Sequence, residues 1–525
     1  MKKRLFASLC LGGFFSFLYL HLHWNTFSLS QVILPERGLT YLTEEAMRYG
    51  TIFVPSLYAH PNKSRIYLKH AHKVYNLGDG IEVQMDLYDM NGDPKMTGGD
   101  FLRVWMENPE TAASISGRVT DLNNGSYTAL LKAVWLGNAT IKAFIAARRE
   151  EIVLDYMIFE KHDFIWPIFA EFRANNLKDA TKCSANQENS LKTNEWCNFT
   201  NENNGSSYFC RKSKIKQLTC DTWSHTYSNN RIDAPLNTTE RNILDLSVAD
   251  SKLDVLKTSV KVSVRRASND MERLAPTIPC NRLPSVITWQ RKSPNGFFLH
   301  DRWHSLLCTD TLPRTTDAYG RCLKGKTLWL HGDSTSNQFK DALHSMFHFP
   351  SHWDEHVPTT DADVTHNFSV SWRAHELPFY HGGRHYNRST NLGQDIMMDR
   401  LPNTTKDIVV LYLYVHFTLI HPDVFSRHVQ RLVPSVKNLL ARAPNVTVAV
   451  RGPHAFFRRK RGMLSYWGLL YTEIWHEAFA SLQHQIVYLD FWDMTMAKAH
   501  RDFHPGKDTV EEMVHNMMSL LCFRK

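Results

Sequence analysis

KTLWLHGDSTSNQFKDALHSMF, residues 326–347, is the stretch that decides the fold of the carboxyl-terminal half of the chain. Residues 326–331 form a short apolar strand pattern, and residues 337–347 have the composition of a helix. Ser334 therefore falls at the carboxyl edge of a sheet and at the start of a helix, where exposed backbone N–H groups can stabilise an oxyanion. Ser334 is a candidate nucleophile if a histidine reaches it, and an ordinary Asp or Ser helix cap is the alternative.

Strand and helix patterns alternate from this stretch to the end of the chain. DIVVLYLYV, residues 407–415, is apolar throughout, as expected for a strand with both sheet faces covered. Residues 422–441 carry apolar side chains at helical spacing, and strand, helix and strand patterns follow up to residue 489. The alternation predicts an α/β domain over residues 296–525, with a parallel sheet and helices on both faces.

A histidine that could serve Ser334 is expected near the end of this domain. His504, in the sequence RDFHP, follows the last predicted strand and precedes a helical pattern. Both residues are then expected at the same edge of the sheet, with His504 as the base. The acidic partner of His504 stays open between Asp502, two residues away, and Asp490 or Asp493, just after the last strand.

Residues 55–165 have the pattern of an antiparallel β-sandwich. Ile81, Val83, Met85 and Leu87 alternate with polar residues, which is the period of a half-buried strand. Asn–Gly turn signals follow, and short strand patterns recur between them.

Residues 166–295 are polar, with weak periodicity, and we interpret them as a cysteine-rich, disulfide-stapled connector made mainly of loops. Eight cysteines lie beyond the amino-terminal apolar run, an even number as disulfides require: Cys183, Cys197, Cys210, Cys220, Cys280, Cys308, Cys322 and Cys522. Cys308 and Cys322 are close enough in sequence to pair locally. No metal site is predicted, because no C-x2-C pair occurs and Pro350 interrupts the one series of regularly spaced histidines.

The amino terminus carries a translocation signal. Three basic residues precede the apolar residues 5–22, which as a helix would span roughly 27 Å. Residues 1–30 are then either an uncleaved signal anchor with a lumenal body or a cleaved signal peptide. The expected location is the secretory pathway: the Golgi lumen as a type II membrane protein, or outside the cell after secretion. Ten N-x-S/T sequons agree with it: Asn62, Asn124, Asn138, Asn198, Asn204, Asn237, Asn367, Asn387, Asn403 and Asn445.

Composition excludes several classes of protein. The chain of 525 residues is 43% hydrophobic and 22% charged, which is typical of globular domains and excludes a wholly disordered chain or a coiled-coil array. The net charge of +9 is spread along the chain, and its longest basic cluster has four residues. No nucleic-acid partner is predicted.

The chain resembles the NXPE family, whose members join a neurexophilin-like region to a PC-esterase domain of the SGNH/GDSL type. The resemblance rests on these blocks, in order: GGDFL at 98–102, GRVTD at 117–121, GDST at 332–335, HF at 416–417, PDVF at 422–425, DFWDMT at 490–495 and HP at 504–505. It implies an immunoglobulin- or filamin-like sandwich, a neurexophilin-like connector and an SGNH-like three-layer α/β/α domain. It also implies Ser334 and His504 as the catalytic pair, with Gly332, Asp333, Asn337 and His416 as oxyanion or substrate groups.

Two positions depart from the family pattern. Relatives usually carry Arg three residues after the nucleophile, where this chain has Asn337, and Asp three residues before the base, where it has Arg501. Either Asp502 or Asp493 then supplies the acid, or the protein works as a Ser–His dyad, or catalysis is weakened.

Two functions follow from the resemblance. The first is an O-acyl transferase or esterase acting on glycan hydroxyls, with sialic acid as a plausible acceptor. It would hold no bound cofactor and would use an acetyl donor such as acetyl-CoA as co-substrate. The second is a secreted or cell-surface binding protein, like a neurexophilin, on a degenerate esterase scaffold. The expected partners are a glycan or glycoprotein acceptor, a cell-surface protein, and the membrane if the amino-terminal segment is retained.

Overall fold

The computed structural model describes residues 53–70, 73–186, 194–229, 231–246, 255–266, 276–349, 358–378, 391–457 and 462–524. The apolar run at 5–22 and the sequon at Asn387 lie outside these ranges. Within them, no helix has both the length and the apolar character needed to cross a membrane.

The strands are β1 Arg65–Leu68, β2 Val74–Asn76, β3 Gly80–Asp86, β4 Phe101–Asn108, β5 Ala113–Asp121, β6 Ser126–Lys132, β7 Gly137–Ala147, β8 Ile168–Ala174, β9 Leu177–Ser184, β10 Trp196–Asn198, β11 Phe209–Arg211, β12 Trp223–Ser228, β13 Val260–Arg265, β14 Gly296–Leu299, β15 Arg302–Ser305, β16 Thr327–Gly332, β17 Thr359–Asp363, β18 Phe368–Ala374, β19 Ile408–Leu411, β20 Thr447–Arg451 and β21 Val487–Leu489. The helices are α1 Arg149–His162, α2 Thr238–Leu246, α3 Ser285–Thr288, α4 Thr316–Leu323, α5 Ser334–Phe347, α6 Gln394–Asp399, α7 Pro422–Arg442, α8 Trp467–Ala478, α9 Trp492–Ala497 and α10 Lys507–Leu521.

The amino-terminal region is β-rich, as predicted. Its strands follow the order β1-β3-β6-β5-β4-β7-β13-β2, and the β14–β15 hairpin joins at β5. The first half of β5 pairs with β4 and the second half with β6, so this strand serves both layers. Ile81, Val83 and Met85 on β3 are fully buried in the same core as Val262 and Val264 on β13, although the two strands lie far apart in the sheet order. The sheet therefore folds over itself into a sandwich.

The connector contains more regular structure than its sequence predicted. A five-stranded antiparallel sheet has the order β10-β11-β9-β8-β12. Two of its strands have only three residues each, too short for an alternating pattern to be visible in the sequence. The disulfides Cys183–Cys210 and Cys197–Cys220 fasten this sheet.

The predicted pairing of Cys308 with Cys322 is wrong. Cys308 bonds Cys280, because the parallel bridge between Pro279 and Thr309 brings these two segments together. Cys322 lies near the end of α4 and bonds Cys522, just after α10, across 200 residues of sequence. Proximity along the chain did not indicate either pair, since both depend on the tertiary arrangement.

The carboxyl-terminal region has the predicted alternation of strands and helices. Its sheet has the order β17-β18-β16-β19-β20-β21, and every pair from β18 onward is parallel. The β17–β18 hairpin adds an antiparallel edge strand that the sequence did not predict. Helix α5 packs on β16 and β18 and against α10, while α7 packs against α6 and α8. The result is a mixed sheet with helices.

The sandwich and the α/β region are joined by buried polar contacts. Arg103 on β4 is fully buried and donates to the backbone oxygen of Thr495 at 3.1 Å and that of His500 at 3.4 Å. Ser116 on β5 donates to the Asp493 carboxylate at 2.7 Å. The pairing of β14 with β5 joins the same two regions through backbone hydrogen bonds.

Candidate active site

The carboxyl ends of three neighbouring strands meet beside Ser334. Gly332 at the end of β16 is in register with Ala374 on β18, and His331 is in register with Leu411 on β19. Across the sheet these strands lie in the order β18-β16-β19, whereas along the chain β16 comes first, β18 second and β19 third. The strand order therefore reverses between β16 and β19, which makes this position a topological switch point. Ligands of open α/β sheets bind at such points.

Asp333 fixes the turn from β16 into α5. Its Oδ1 accepts hydrogen bonds from the Thr335 backbone N–H at 2.9 Å and from the Thr335 hydroxyl at 2.7 Å. Its Oδ2 accepts the backbone N–H of Val415 at 2.8 Å, which holds the turn after β19 against the start of α5. Asp333 is fully buried. A carboxylate cannot donate to an oxyanion, so this contact set supports a capping role in place of the predicted oxyanion role.

Gly332 is required by close packing. A Cβ atom there would lie 2.6 Å from the backbone oxygen of Tyr412 and 2.7 Å from Ser336 Oγ, both too short for real contacts. Any larger residue would push β16 away from β19 at the point where Ser334 is presented.

Ser334 and His504 are brought together. Ser334 Oγ lies 2.7 Å from His504 Nε2, which is the distance of a normal hydrogen bond, and both side chains are partly exposed. Their separation of 170 residues in sequence is closed by the sheet, as predicted. The contact is the one that a serine nucleophile and its base require.

The loop that carries His504 is held from two sides. His454 Nε2 lies 2.8 Å from the backbone oxygen of Phe503, and Gln338 on α5 donates to the backbone oxygen of Pro505 at 3.0 Å. A carbonyl only accepts, so His454 Nε2 carries the proton and its Nδ1 accepts from the Tyr412 hydroxyl at 3.1 Å. Burial and the nearby Arg451 lower the pKa of His454 well below its usual value, which keeps this ring neutral.

The two candidate acids are placed differently. Asp502 Oδ1 accepts the backbone N–H of His504 at 3.1 Å, so this carboxylate lies against the base residue. Asp493 accepts from Ser116, from Ser293 at 2.9 Å and from the Asn295 backbone N–H at 2.8 Å. Burial raises its pKa. These contacts make Asp493 part of the junction with the sandwich.

His416 lies in the turn after β19, and Asn337 lies in α5, the helix that begins at Ser334. His416 is in the 3-10 turn Val415–Leu419, directly after the residue that Asp333 binds. Its Nδ1 lies 2.9 Å from Nε2 of His375. Asn337 lies in the first turn of α5, and among the described residues its buried Oδ1 has no hydrogen-bond partner.

Four residues of this neighbourhood escaped the sequence analysis: His375, His454, Gln338 and Arg451. Arg451 ends β20, donates to the Thr335 backbone oxygen at 2.8 Å and is stacked between the rings of Phe339 and Tyr412. A polar residue at or just after the end of a buried strand was the available signal for Arg451 and His454. His375 follows β18, a strand that was not predicted, so no such signal existed for it.

A family comparison supports the resemblance seen in the sequence. Residues 303–522 match the family described as NXPE family member 4-like, C-terminal domain, and this range contains Ser334, His416 and His504. This match supports the NXPE family for the carboxyl-terminal region. The filamin domain of Lin-41 matches this chain at 16% identity, covering 17% of this chain and 82% of that one, with a TM-score of 0.15. The Escherichia coli adhesin FdeC matches at 12% identity, covering 39% and 65%, with a TM-score of 0.14. Likenesses at such scores carry no argument.

The disulfides and sequons of this protein bear on its environment. Four disulfides indicate an oxidising, secretory or extracellular compartment. Nine sequon asparagines lie in the described ranges, and eight of them are exposed. Asn204 is the exception, because its Nδ2 is buried.

Proposed function

We propose that this protein is an O-acyl transferase or esterase of the secretory pathway, acting on glycan hydroxyls by way of an acyl-Ser334 intermediate. The observation that carries the proposal is the 2.7 Å contact between Ser334 Oγ and His504 Nε2 at the carboxyl edge of the sheet. The acetyl group is the acyl group that the family resemblance implies, and sialic acid is the proposed acceptor. An acetyl donor such as acetyl-CoA would be the co-substrate.

The proposed reaction has two halves. Ser334 Oγ attacks the acyl carbonyl carbon while its proton passes to His504 Nε2, and the leaving group takes that proton as the tetrahedral intermediate collapses. The acceptor hydroxyl then gives its proton to His504 Nε2 and attacks the acyl-serine ester. Ser334 leaves and recovers the proton from His504. Water in place of the sugar hydroxyl gives hydrolysis.

The oxyanion of both intermediates needs donors near Ser334. We assign the backbone N–H of Ser334 and the side-chain amide of Asn337 to this role, because both belong to the first turn of α5. Asn337 stands where relatives carry Arg, so the charge of that residue is missing from the proposed site. We expect weaker stabilisation of the oxyanion for this reason.

Asp502 is the acid that we assign to His504, since its carboxylate accepts the backbone N–H of His504 and so lies near this residue, whereas both Asp493 oxygens serve the junction. An orienting acid contributes up to roughly 10⁴ in kcat. A loss of that order in Asp502→Asn would support a triad. An unchanged rate would show that the protein works as a Ser–His dyad.

The deciding experiment compares Ser334→Ala with Ser345→Ala, an exposed serine on the same helix. The purified proteins are given labelled acetyl-CoA and a sialylated glycan, and each is also treated with a fluorophosphonate probe. Removal of a serine nucleophile lowers kcat by roughly 10⁶-fold, so Ser334→Ala should fall to background and lose labelling while Ser345→Ala matches the wild type. Equal turnover by both variants would refute the acyl-enzyme.

A neurexophilin-like binding protein is the second candidate. It is favoured by Asn337 and by Arg501, which is exposed where relatives have the acid of the D-x-x-H pattern. On this alternative the wild type would neither be labelled at Ser334 nor transfer acetyl groups, and it would bind a cell-surface protein instead.

A further inference from the structure

The proposed base, His504, lies on a segment that no helix or strand holds in place. Residues 498–506, here called the base loop, run between the end of α9 and the start of α10; the structure describes all of them, and they form neither a helix nor a strand. A working distance of about 2.6–3.2 Å between nucleophile and base therefore depends on the contacts that fix this loop. Two such contacts come from α5 and from the segment after β20.

The backbone on both sides of His504 is held by hydrogen bonds. His454 Nε2 donates to the backbone oxygen of Phe503, the residue before the base, at 2.8 Å. Gln338 donates to the backbone oxygen of Pro505, the residue after the base, at 3.0 Å. The loop is therefore fixed just before and just after His504, which limits how far the ring of this histidine can move.

Gln338 ties the base loop to the helix that carries the nucleophile. It lies four residues after Ser334 on α5, so the two side chains leave the same face of the helix about one turn apart. Helix α5 packs on β16 and β18, which fixes this turn against the sheet. Because one helical turn carries both the nucleophile and a contact to the loop, a change in the Gln338 contact changes the distance between Ser334 Oγ and His504 Nε2.

His454 is itself held in the orientation that its contact with the loop requires. Its ring is fully buried, and its Nδ1 lies 3.1 Å from the hydroxyl of Tyr412, which directly follows β19. Tyr412 is fully buried as well, and its ring packs on the guanidinium of Arg451 at the end of β20. The support for the base loop thus extends to two neighbouring strands of the sheet. Side chains locked by a second layer of contacts are typical of preorganised sites.

We propose that Gln338 and His454 are positioning residues, which hold the base loop so that His504 stays at hydrogen-bonding distance from Ser334. This inference rests on the proposed function, which makes Ser334 the nucleophile and His504 its base. Both residues act through the loop backbone, so their removal should slow the reaction of the serine and leave substrate binding unchanged. A displacement of about 1 Å in such a pair can cost roughly 100-fold in rate.

The test measures the second-order rate of fluorophosphonate labelling of Ser334, a reaction that does not depend on which donor or acceptor the protein uses. Gln338→Met and His454→Phe remove the two donors and keep side chains of similar size, whereas His454→Gln keeps an N–H group that can reach the loop. Gln485→Met and His484→Phe, at exposed positions, are the matched controls. Thermal melts of every variant separate a slower site from a damaged fold, and kcat and KM are measured with acetyl-CoA and a sialylated glycan.

Gln338→Met and His454→Phe should each be labelled roughly 10-fold more slowly than their controls, and the double variant up to roughly 100-fold more slowly. His454→Gln should recover most of the rate, because it restores a donor to the Phe503 carbonyl. We expect kcat to fall with the labelling rate while KM stays within about 2-fold, as is typical when only the transition state is affected. Gln338→Met should melt with its control, since Gln338 is only partly buried.

Three outcomes would overturn the inference. If Ser334 of the wild type is labelled but Gln338→Met and His454→Phe react as fast as their controls, the two residues do not position the base and the proposed function stands. If His454→Gln is as slow as His454→Phe, the hydrogen bond to the loop is not the cause of the loss. If the wild type is not labelled at Ser334, the proposed acyl-enzyme fails and this inference fails with it.

Discussion

Replacing Asp333 by Asn should loosen the edge of the sheet at which Ser334 lies. The carboxylate accepts two backbone N–H groups and one hydroxyl through its two oxygens. An Asn side chain has a single acceptor oxygen, so whichever way the amide is turned, its NH₂ group faces either the N–H of Thr335 or that of Val415. One buried backbone N–H is left without an acceptor.

The expected cost can be worked from these contacts. A buried backbone donor that loses its acceptor costs about 1–3 kcal/mol, and if that donor is the helix-capping N–H of Thr335 the cost is about 1 kcal/mol. We therefore expect the free energy of unfolding of the α/β region to fall by about 1–3 kcal/mol. For a domain of this size each kcal/mol shifts Tm by about 2–4 °C, so Tm should fall by about 2–12 °C.

The assay is a thermal melt together with hydrogen exchange of the peptide that contains Val415. Asp317→Asn is the control, since this aspartate is also in the first turn of a helix but is largely exposed. The Asp333→Asn variant should melt earlier and exchange the Val415 amide faster, while the control matches the wild type. A variant that melts with the control and keeps the Val415 amide protected would refute the capping argument.

Three further predictions concern other parts of the molecule. Glycopeptide mapping should find Asn204 unmodified while the exposed Asn403 carries a glycan, because the Asn204 amide nitrogen is buried. Replacing both Cys322 and Cys522 by Ser opens a loop of 200 residues and should lower the free energy of unfolding by about 5 kcal/mol. The variant should have a lower Tm than the wild type, and a reductant should no longer lower its Tm by breaking this disulfide. Burial and Glu150 raise the pKa of Asp100 to about 7, above its unfolded value near 3.9, so its contribution to stability is complete at low pH and is lost as pH rises through 7. The Tm of the wild type relative to Asp100→Asn should accordingly fall between pH 4 and pH 8.

The sequence predicted those parts of the site that depend on local patterns. Ser334 could be found because an apolar strand runs straight into a helix, and His504 because it follows the last strand of the same sheet. The half-buried strand at Ile81, Val83 and Met85 could be found from its period of two. Each of these signals lies within a single element and its immediate neighbours.

The parts that the sequence did not predict depend on contacts between distant segments. His375 follows the β17–β18 hairpin, and the polar residues of this hairpin obscure the apolar pattern by which strands are recognised in a sequence. Asp493 was a candidate acid because it follows the last strand, but its donors come from Ser116, Ser293 and Asn295. Sequence spacing contains no record of such partners. The pairing of Cys308 failed for the same reason.

The junction at Arg103 and Asp493 limits how this protein can be divided. All three donors to the Asp493 carboxylate lie before residue 303, where the match to the NXPE carboxyl-terminal family begins. A chain shortened to the matched residues would keep a buried carboxylate with those donors removed, and the carbonyls that Arg103 serves would lose their guanidinium. The sandwich, which the sequence presents as a separate accessory domain, therefore supplies part of the buried interior of the α/β region. We expect that substitutions inside the sandwich will first cause the α/β region to misfold.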